Sequence, residues 1–208
     1  MSFSEEDEPI KIILLGNAGV GKTSIISRYD QNTFEENYKS TFSSHYIIKK
    51  LKVNKQTVIL NVWDTAGQEK YHSLNKIFLK NSKIVILVYD VTIKKSFQDL
   101  SIWYDFIQND LNENVILGLA GNKVDLLDED GYQEEVSEDE AKIMAEKWDA
   151  EFALLSAKLD KKGIDDFFYK LVEKYINSDN LNNPEGKTKN VLLNENDLRD
   201  SQDKSGCC

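Results

Sequence analysis

Residues 10–177 predict an α/β domain: an open, mostly parallel six-stranded sheet with one antiparallel hairpin and helices on both faces. Three observations carry that prediction. Short β-branched and apolar runs alternate with amphipathic ones along most of the chain. The strand-like run 10–15 passes through a glycine-rich turn, residues 16–23, into the helix-forming run 24–29. The run 84–88, Ile-Val-Ile-Leu-Val, is apolar throughout, as a central parallel strand buried on both faces should be.

The strands are expected at 10–15, 44–53, 57–63, 84–89, 115–120 and 151–155. Asn54-Lys55 is a tight polar break between the second and third, which predicts the hairpin. The helices follow a 3.6-residue period. Phe97, Leu100, Tyr104, Ile107 and Leu111 form one stripe, and Ala141, Met144, Ala145 and Trp148 a second. Ile164, Phe167, Phe168, Leu171, Val172, Tyr175 and Ile176 form the third and strongest. Ser137-Glu138-Asp139-Glu140 has capping-box form and should open the second of these helices. In an open α/β sheet, ligands bind beyond the carboxyl ends of the strands.

A chain of 208 residues with 40% hydrophobic content supports one well-buried domain. Its two prolines, Pro9 and Pro184, bracket the patterned region. Residues 1–9 form an acidic lead expected to be flexible, without the basic start and apolar run of a signal peptide. Residues 178–208 are expected to be a flexible tail with one short apolar cluster, Val191-Leu192-Leu193. No apolar stretch approaches a membrane span. A net charge of −10 argues against nucleic acid as a partner. The acidic run around Asp128-Glu129-Asp130 lacks the ligand spacing of a calcium loop and reads as solvated.

Four motifs close predicted strands. Gly16-Asn17-Ala18-Gly19-Val20-Gly21-Lys22-Thr23 fits G-x-x-x-x-G-K-[ST]. In such a loop, backbone N–H groups converge on phosphate at a helix N-terminus, here up to Ser24. Lys22 would reach the β- and γ-phosphates, and the Thr23 hydroxyl would ligate Mg²⁺. The third strand ends in Trp63-Asp64-Thr65-Ala66-Gly67-Gln68. There Asp64 would hold Mg²⁺ through a water, the Gly67 N–H would bond the γ-phosphate, and Gln68 would orient an attacking water. Asn122-Lys123-Val124-Asp125 closes the fifth strand, and the Asp125 carboxylate can accept N1–H and the 2-amino hydrogens of guanine. Adenine offers neither donor, and sites built on such bonds reject the analogue lacking them by roughly 10⁴–10⁵. Ser156-Ala157-Lys158 closes the sixth strand, with the Ala157 N–H placed for guanine O6 and Lys158 able to cover the base.

Together these motifs resemble the Ras-like small GTPases, and within them the Rab branch, over residues 9–177 and the last two residues. The resemblance implies a phosphate-loop GTPase domain that hydrolyses GTP to GDP with Mg²⁺, Lys22 and Gln68 being its catalytic residues. It places Phe34 on the guanine ring and Thr41 as a second Mg²⁺ hydroxyl. It assigns effector reading to Phe42, Tyr46, Trp63 and Phe78; for the last three, packing between hairpin and helix is the plain alternative. The stretch Gln68-Glu69-Lys70-Tyr71-His72-Ser73-Leu74 looks most like endosomal Rab proteins, which implies vesicle traffic on the cytoplasmic face of an endomembrane and a cytosolic pool. Implied partners are an exchange factor, an activating protein, GTP-state effectors, a prenylation escort and a GDP-dissociation inhibitor. Three departures bear on those partners: Phe42-Ser43 replaces the usual Ile-Gly, Ala18 stands where relatives often carry Ser or Gly, and Phe78-Leu79 replaces a common Tyr-Tyr pair.

The two cysteines are Cys207 and Cys208, so no disulfide scaffold is possible. A terminal Cys-Cys in a Rab-like chain implies two geranylgeranyl groups, and two lipids give a stable membrane anchor where one does not. Two rivals remain. A phosphate-loop kinase or ATPase needs neither the Asn122-Lys123-x-Asp125 nor the Ser156-Ala157-Lys158 motif. A nucleotide-holding pseudo-GTPase scaffold is opposed by intact Thr23, Thr41 and Gln68.

Overall fold

The structure is a computed structural model that describes residues 8–36, 41, 45–65, 79–110 and 115–182. Six strands form one sheet: β1 (Ile10–Leu15), β2 (His45–Val53), β3 (Gln56–Asp64), β4 (Ile84–Asp90), β5 (Ile116–Asn122) and β6 (Ala150–Leu155). Their order is β2-β3-β1-β4-β5-β6. Only β2 and β3 pair antiparallel; the other pairings are parallel. Asn54 and Lys55 make the hairpin turn with φ of 49° and 72°, the left-handed pair that matches the twist of the flanking strands.

The helices are α1 (Lys22–Gln31), α2 (Lys94–Gln98), α3 (Leu100–Asp110), α4 (Glu138–Lys147) and α5 (Lys161–Asn182), with a 3₁₀ turn at Val124–Asp128. Alternate residues of the central strands feed two cores. Ile12, Leu14, Ile84, Ile86 and Val88 pack with Ile25, Ile26 and Tyr29 of α1 and Ile164, Phe168, Leu171 and Val172 of α5. On the opposite face Ile13, Leu15, Val85, Leu87 and Tyr89 pack with Phe97, Leu100, Trp103 and Ile107, and with Ala141, Ala145 and Trp148 of α4. All seven β4 residues are buried, as expected of its central place. The Ser137 hydroxyl accepts the Glu140 N–H at 3.3 Å and caps α4.

Several boundaries differ from expectation. The stripe from Phe97 is carried by two helices that break at Asp99, and Leu111 lies outside the described residues. Strand β5, expected to end at Ala120, runs on through Gly121 to Asn122, whose register partners are Asp90 and Leu155. A Cβ at position 121 would lie 2.5 Å from the Tyr89 hydroxyl, so the bare glycine lets the strand continue over that ring. Helix α5 continues five residues beyond the expected end at 177, to Asn182.

Phe168 is fully buried and stacks on Tyr29 with ring centroids 4.0 Å apart and planes 9° apart, joining α5 to α1. Phe168→Ala should lower folding stability by about 3–5 kcal/mol, read as a fall in the urea midpoint.

Candidate functional site

A cleft of about 900 Å³ opens where β1, β3, β5 and β6 end. Its floor is the turn from β1 into α1. Gly16 adopts φ 139°, and a Cβ there would lie 2.1 Å from the Val88 carbonyl oxygen. Glycine therefore lets this turn press against β4. The Lys22 ammonium lies across the turn, donating to the Gly16 carbonyl at 2.6 Å and the Asn17 carbonyl at 2.8 Å. Lys22 is 5% exposed, so the charge is held within the fold and faces the cleft that it lines. Asn17 points away and donates from its amide to Asp99 Oδ2 at 2.8 Å. Hydrogen bonds from Lys95 and then Asn17 hold the Asp99 carboxyl below the usual carboxylate range.

Three oxygens meet at the start of α1. Thr23 Oγ1 donates to Asp64 Oδ2 at 2.7 Å and lies 2.8 Å from Thr41 Oγ1. Asp64 is the last residue of β3 and is fully buried behind Thr23. One carboxylate and two hydroxyls suit a small hard cation that also keeps water and phosphate oxygens in its shell.

The far end of the cleft is shaped by Phe34, Lys123, Asp125, Ala157 and Lys158. Asp125 lies in the 3₁₀ turn and accepts the Ser156 hydroxyl on Oδ1 at 2.6 Å. That same Ser156 oxygen accepts the Leu159 N–H at 3.0 Å, which fixes the loop after β6. Lys158 lies between Glu129 at 3.3 Å and Glu36 at 3.9 Å. The hydrogen bond to Glu129, with Glu36 and Asp125 nearby, raises its pKa and keeps the ammonium charged.

Asn122 acts as a brace. Its amide nitrogen donates to the Val20 carbonyl at 2.8 Å, and its amide oxygen accepts the Ala157 N–H at 3.1 Å. One side chain thus ties the phosphate-side loop to the loop after β6. The Ala157 N–H, expected to face a base, is directed to Asn122 here.

Of the expected residues, Ala18, Gly19, Gly21, Lys22, Thr23, Ser24, Phe34, Thr41, Asn122, Lys123, Asp125, Ala157 and Lys158 line one cleft. Gly16, Asn17, Val20, Asp64 and Ser156 support it from behind. Tyr46 and Trp63 sit apart, stacked across the hairpin at 4.9 Å, with Tyr46 51% exposed. Gly67, Gln68, Phe42, Phe78, Cys207 and Cys208 lie outside the described residues.

Two side chains of this site escaped the motifs. Asp90, 1% exposed at the end of β4, pairs with Lys123 at 2.6 Å and accepts the N–H and hydroxyl of Thr92. A carboxylate closing an otherwise apolar strand was its signal. Arg28, on α1, grips the loop after β6 through the Ala157 and Lys158 carbonyls. Nothing local marked it.

The sheet order and the glycine turn braced by Lys22 define a phosphate-loop domain of small-GTPase architecture. The chain belongs to the Ras family, whose description matches residues 11–177. It is similar to the Ras-related protein RABF2a of Arabidopsis thaliana, 36% identical over 176 residues that cover 85% of this chain and 86% of the relative. It is similar also to Ras-related protein Rab-21 of Mus musculus, 35% identical over 206 residues covering 95% of this chain and 90% of that one. A third relative, Ras-related protein Rab5 of Nicotiana tabacum, is 34% identical over 198 residues covering 95% and 94%. By class the chain is a small GTPase, a GTP hydrolase.

Proposed function

We propose that this protein is a guanine-nucleotide switch of vesicle traffic, holding GTP or GDP with Mg²⁺ in the cleft and hydrolysing GTP slowly. The observation that carries this reading is the arrangement of one cleft. A buried ammonium, Lys22, stands beside the Thr23, Thr41 and Asp64 oxygens, and the Asp125 carboxylate stands at the base end.

Thr23 and Thr41, with Asp64 acting through a water, would hold Mg²⁺, which supplies charge neutralisation when bound. Lys22 exchanges its two loop carbonyls for phosphate oxygens and spreads their negative charge. Asp125, oriented by Ser156, accepts the two donor groups of guanine. Phe34 stacks on the base, and Lys158 covers it. Asn122 holds the two loops in register, and Lys123 is fixed by Asp90. Gln68 orients the attacking water, and Gly67 and Thr41 tether their segments when the γ-phosphate is present.

Tyr46 and Trp63, with Phe42 and Phe78, form the surface that a GTP-state effector reads. Cys207 and Cys208 carry two prenyl groups and anchor the chain on the cytoplasmic face of an endosomal membrane. An exchange factor, an activating protein, a prenylation escort and a dissociation inhibitor complete the cycle. Among the described residues no helix is long and apolar enough to cross a membrane.

Single-turnover phosphate release from GTP-loaded protein tests the reading. Wild type should turn over at about 10⁻⁴–10⁻³ s⁻¹ unaided. Gln68→Leu should be slower by on the order of tenfold or more, because an unoriented nucleophile loses near-attack geometry. Equal rates would remove Gln68 from the chemistry, and no turnover in wild type would leave a scaffold that merely holds nucleotide.

A further inference from the structure

Two walls enclose the base end of the cleft. One is the segment after α1, carrying Thr33, Phe34, Glu35 and Glu36; the other is the loop after β6, carrying Ala157 and Lys158. They come from distant parts of the chain, and Arg28 joins them. Its Nε donates to the Ala157 carbonyl at 2.8 Å, and Nη2 donates to the Lys158 carbonyl at 2.7 Å. Nη1 donates to both the backbone and side-chain oxygens of Asn32, each at 3.0 Å. Asn32 is the left-handed residue, φ 56°, at which α1 ends and the chain turns toward Phe34. Arg28 does not itself line the cleft.

The guanidinium suits this task. It is planar and permanently charged, and its five N–H groups are fixed in a fork. Four hydrogen bonds to oxygens on two segments therefore set the distance between those segments. The carbonyls it grips belong to Ala157 and Lys158, the two residues of that loop that line the cleft. We propose that Arg28 is a positioning residue that clamps the two walls of the base end of the cleft and thereby slows nucleotide release. The proposal rests on the reading that this end of the cleft takes guanine.

The test uses full-length protein loaded with fluorescent mant-GDP, with release chased by unlabelled GDP. Arg28→Ala should speed release by on the order of tenfold, the expected loss for charge-assisted hydrogen bonds. Arg28→Lys should restore only part of the difference, since an ammonium cannot span both carbonyls and Asn32 in one plane. The rate at which prebound GTP is hydrolysed should move far less than release does, because Lys22 and Thr23 sit at the other end. That split separates a local clamp from general loosening.

Thermal unfolding verifies that the variants are folded; if Arg28→Ala is not, Arg28→Lys alone must still release faster than wild type. Wild-type release from both variants, full rescue by lysine, or equal damage to release and hydrolysis would each overturn the clamp. The guanine reading fails separately, if wild type itself does not prefer GDP to ADP.

Discussion

Replacing Asp125 with alanine is expected to weaken GDP binding on the order of 10²–10⁴-fold. The carboxylate has two oxygens, and the Ser156 hydroxyl at 2.6 Å occupies one direction on Oδ1. The remaining lone pairs can accept N1–H and a 2-amino hydrogen of guanine side by side. Hydrogen bonds to a charged group contribute about 1.5–3 kcal/mol each. Two of them amount to about 3–6 kcal/mol, and each 1.4 kcal/mol is about tenfold in affinity. Asp125 is half-buried in a short 3₁₀ turn, so the fold should survive its loss. Titration calorimetry with GDP and ADP measures the effect. Discrimination between the two bases should collapse along with GDP affinity, and an unchanged ratio would place base recognition elsewhere.

Lys22→Ala attacks the opposite end. The Lys22 ammonium is buried and held by two loop carbonyls, so its field is barely screened by water. Removing one partner of a buried charge pair costs about 2–5 kcal/mol. GDP affinity should therefore fall by about 30- to 4,000-fold. The selectivity pattern distinguishes this variant from the first. Lys22 bonds the turn before α1, at the opposite end of the cleft from Asp125, so the residual binding should keep its preference for guanine over adenine. Loss of that preference in Lys22→Ala would show that the two ends of the cleft are not independent.

Local chemistry made much of this molecule legible in the sequence. The glycine turn, the Asn54-Lys55 reversal and the Ser137 cap depend on the preferences of a few neighbouring residues, and those preferences are realised. The wholly apolar run at 84–88 reads as a central strand and the stripe from Ile164 to Ile176 as a core helix, and both are so in the structure.

What was hidden depends on partners far away in the chain. Arg28 is 129 and 130 residues from the carbonyls it grips, and on α1 alone it reads as a solvated charge. Asp90 acquires its role only when Lys123 arrives from β5. Gly121 is a weak strand former by itself, and the Tyr89 ring and Leu154 side chain crowded against it show why a bare glycine stands there. Helix α5 outlasts its apolar stripe, and beyond the stripe the Ser178 hydroxyl donates to the Tyr175 carbonyl at 2.8 Å. Asn122, expected to bind nucleotide, lines the cleft, and both its amide groups serve the neighbouring loops.

Competition between guanine and adenine nucleotides for the purified, folded, magnesium-supplied protein is the most direct measurement. GTP should displace bound mant-GDP at concentrations at least about 10⁴-fold below those at which ATP does, the margin expected of a pocket whose polar groups are matched to one base. Displacement by ATP and GTP at similar concentrations would contradict the account.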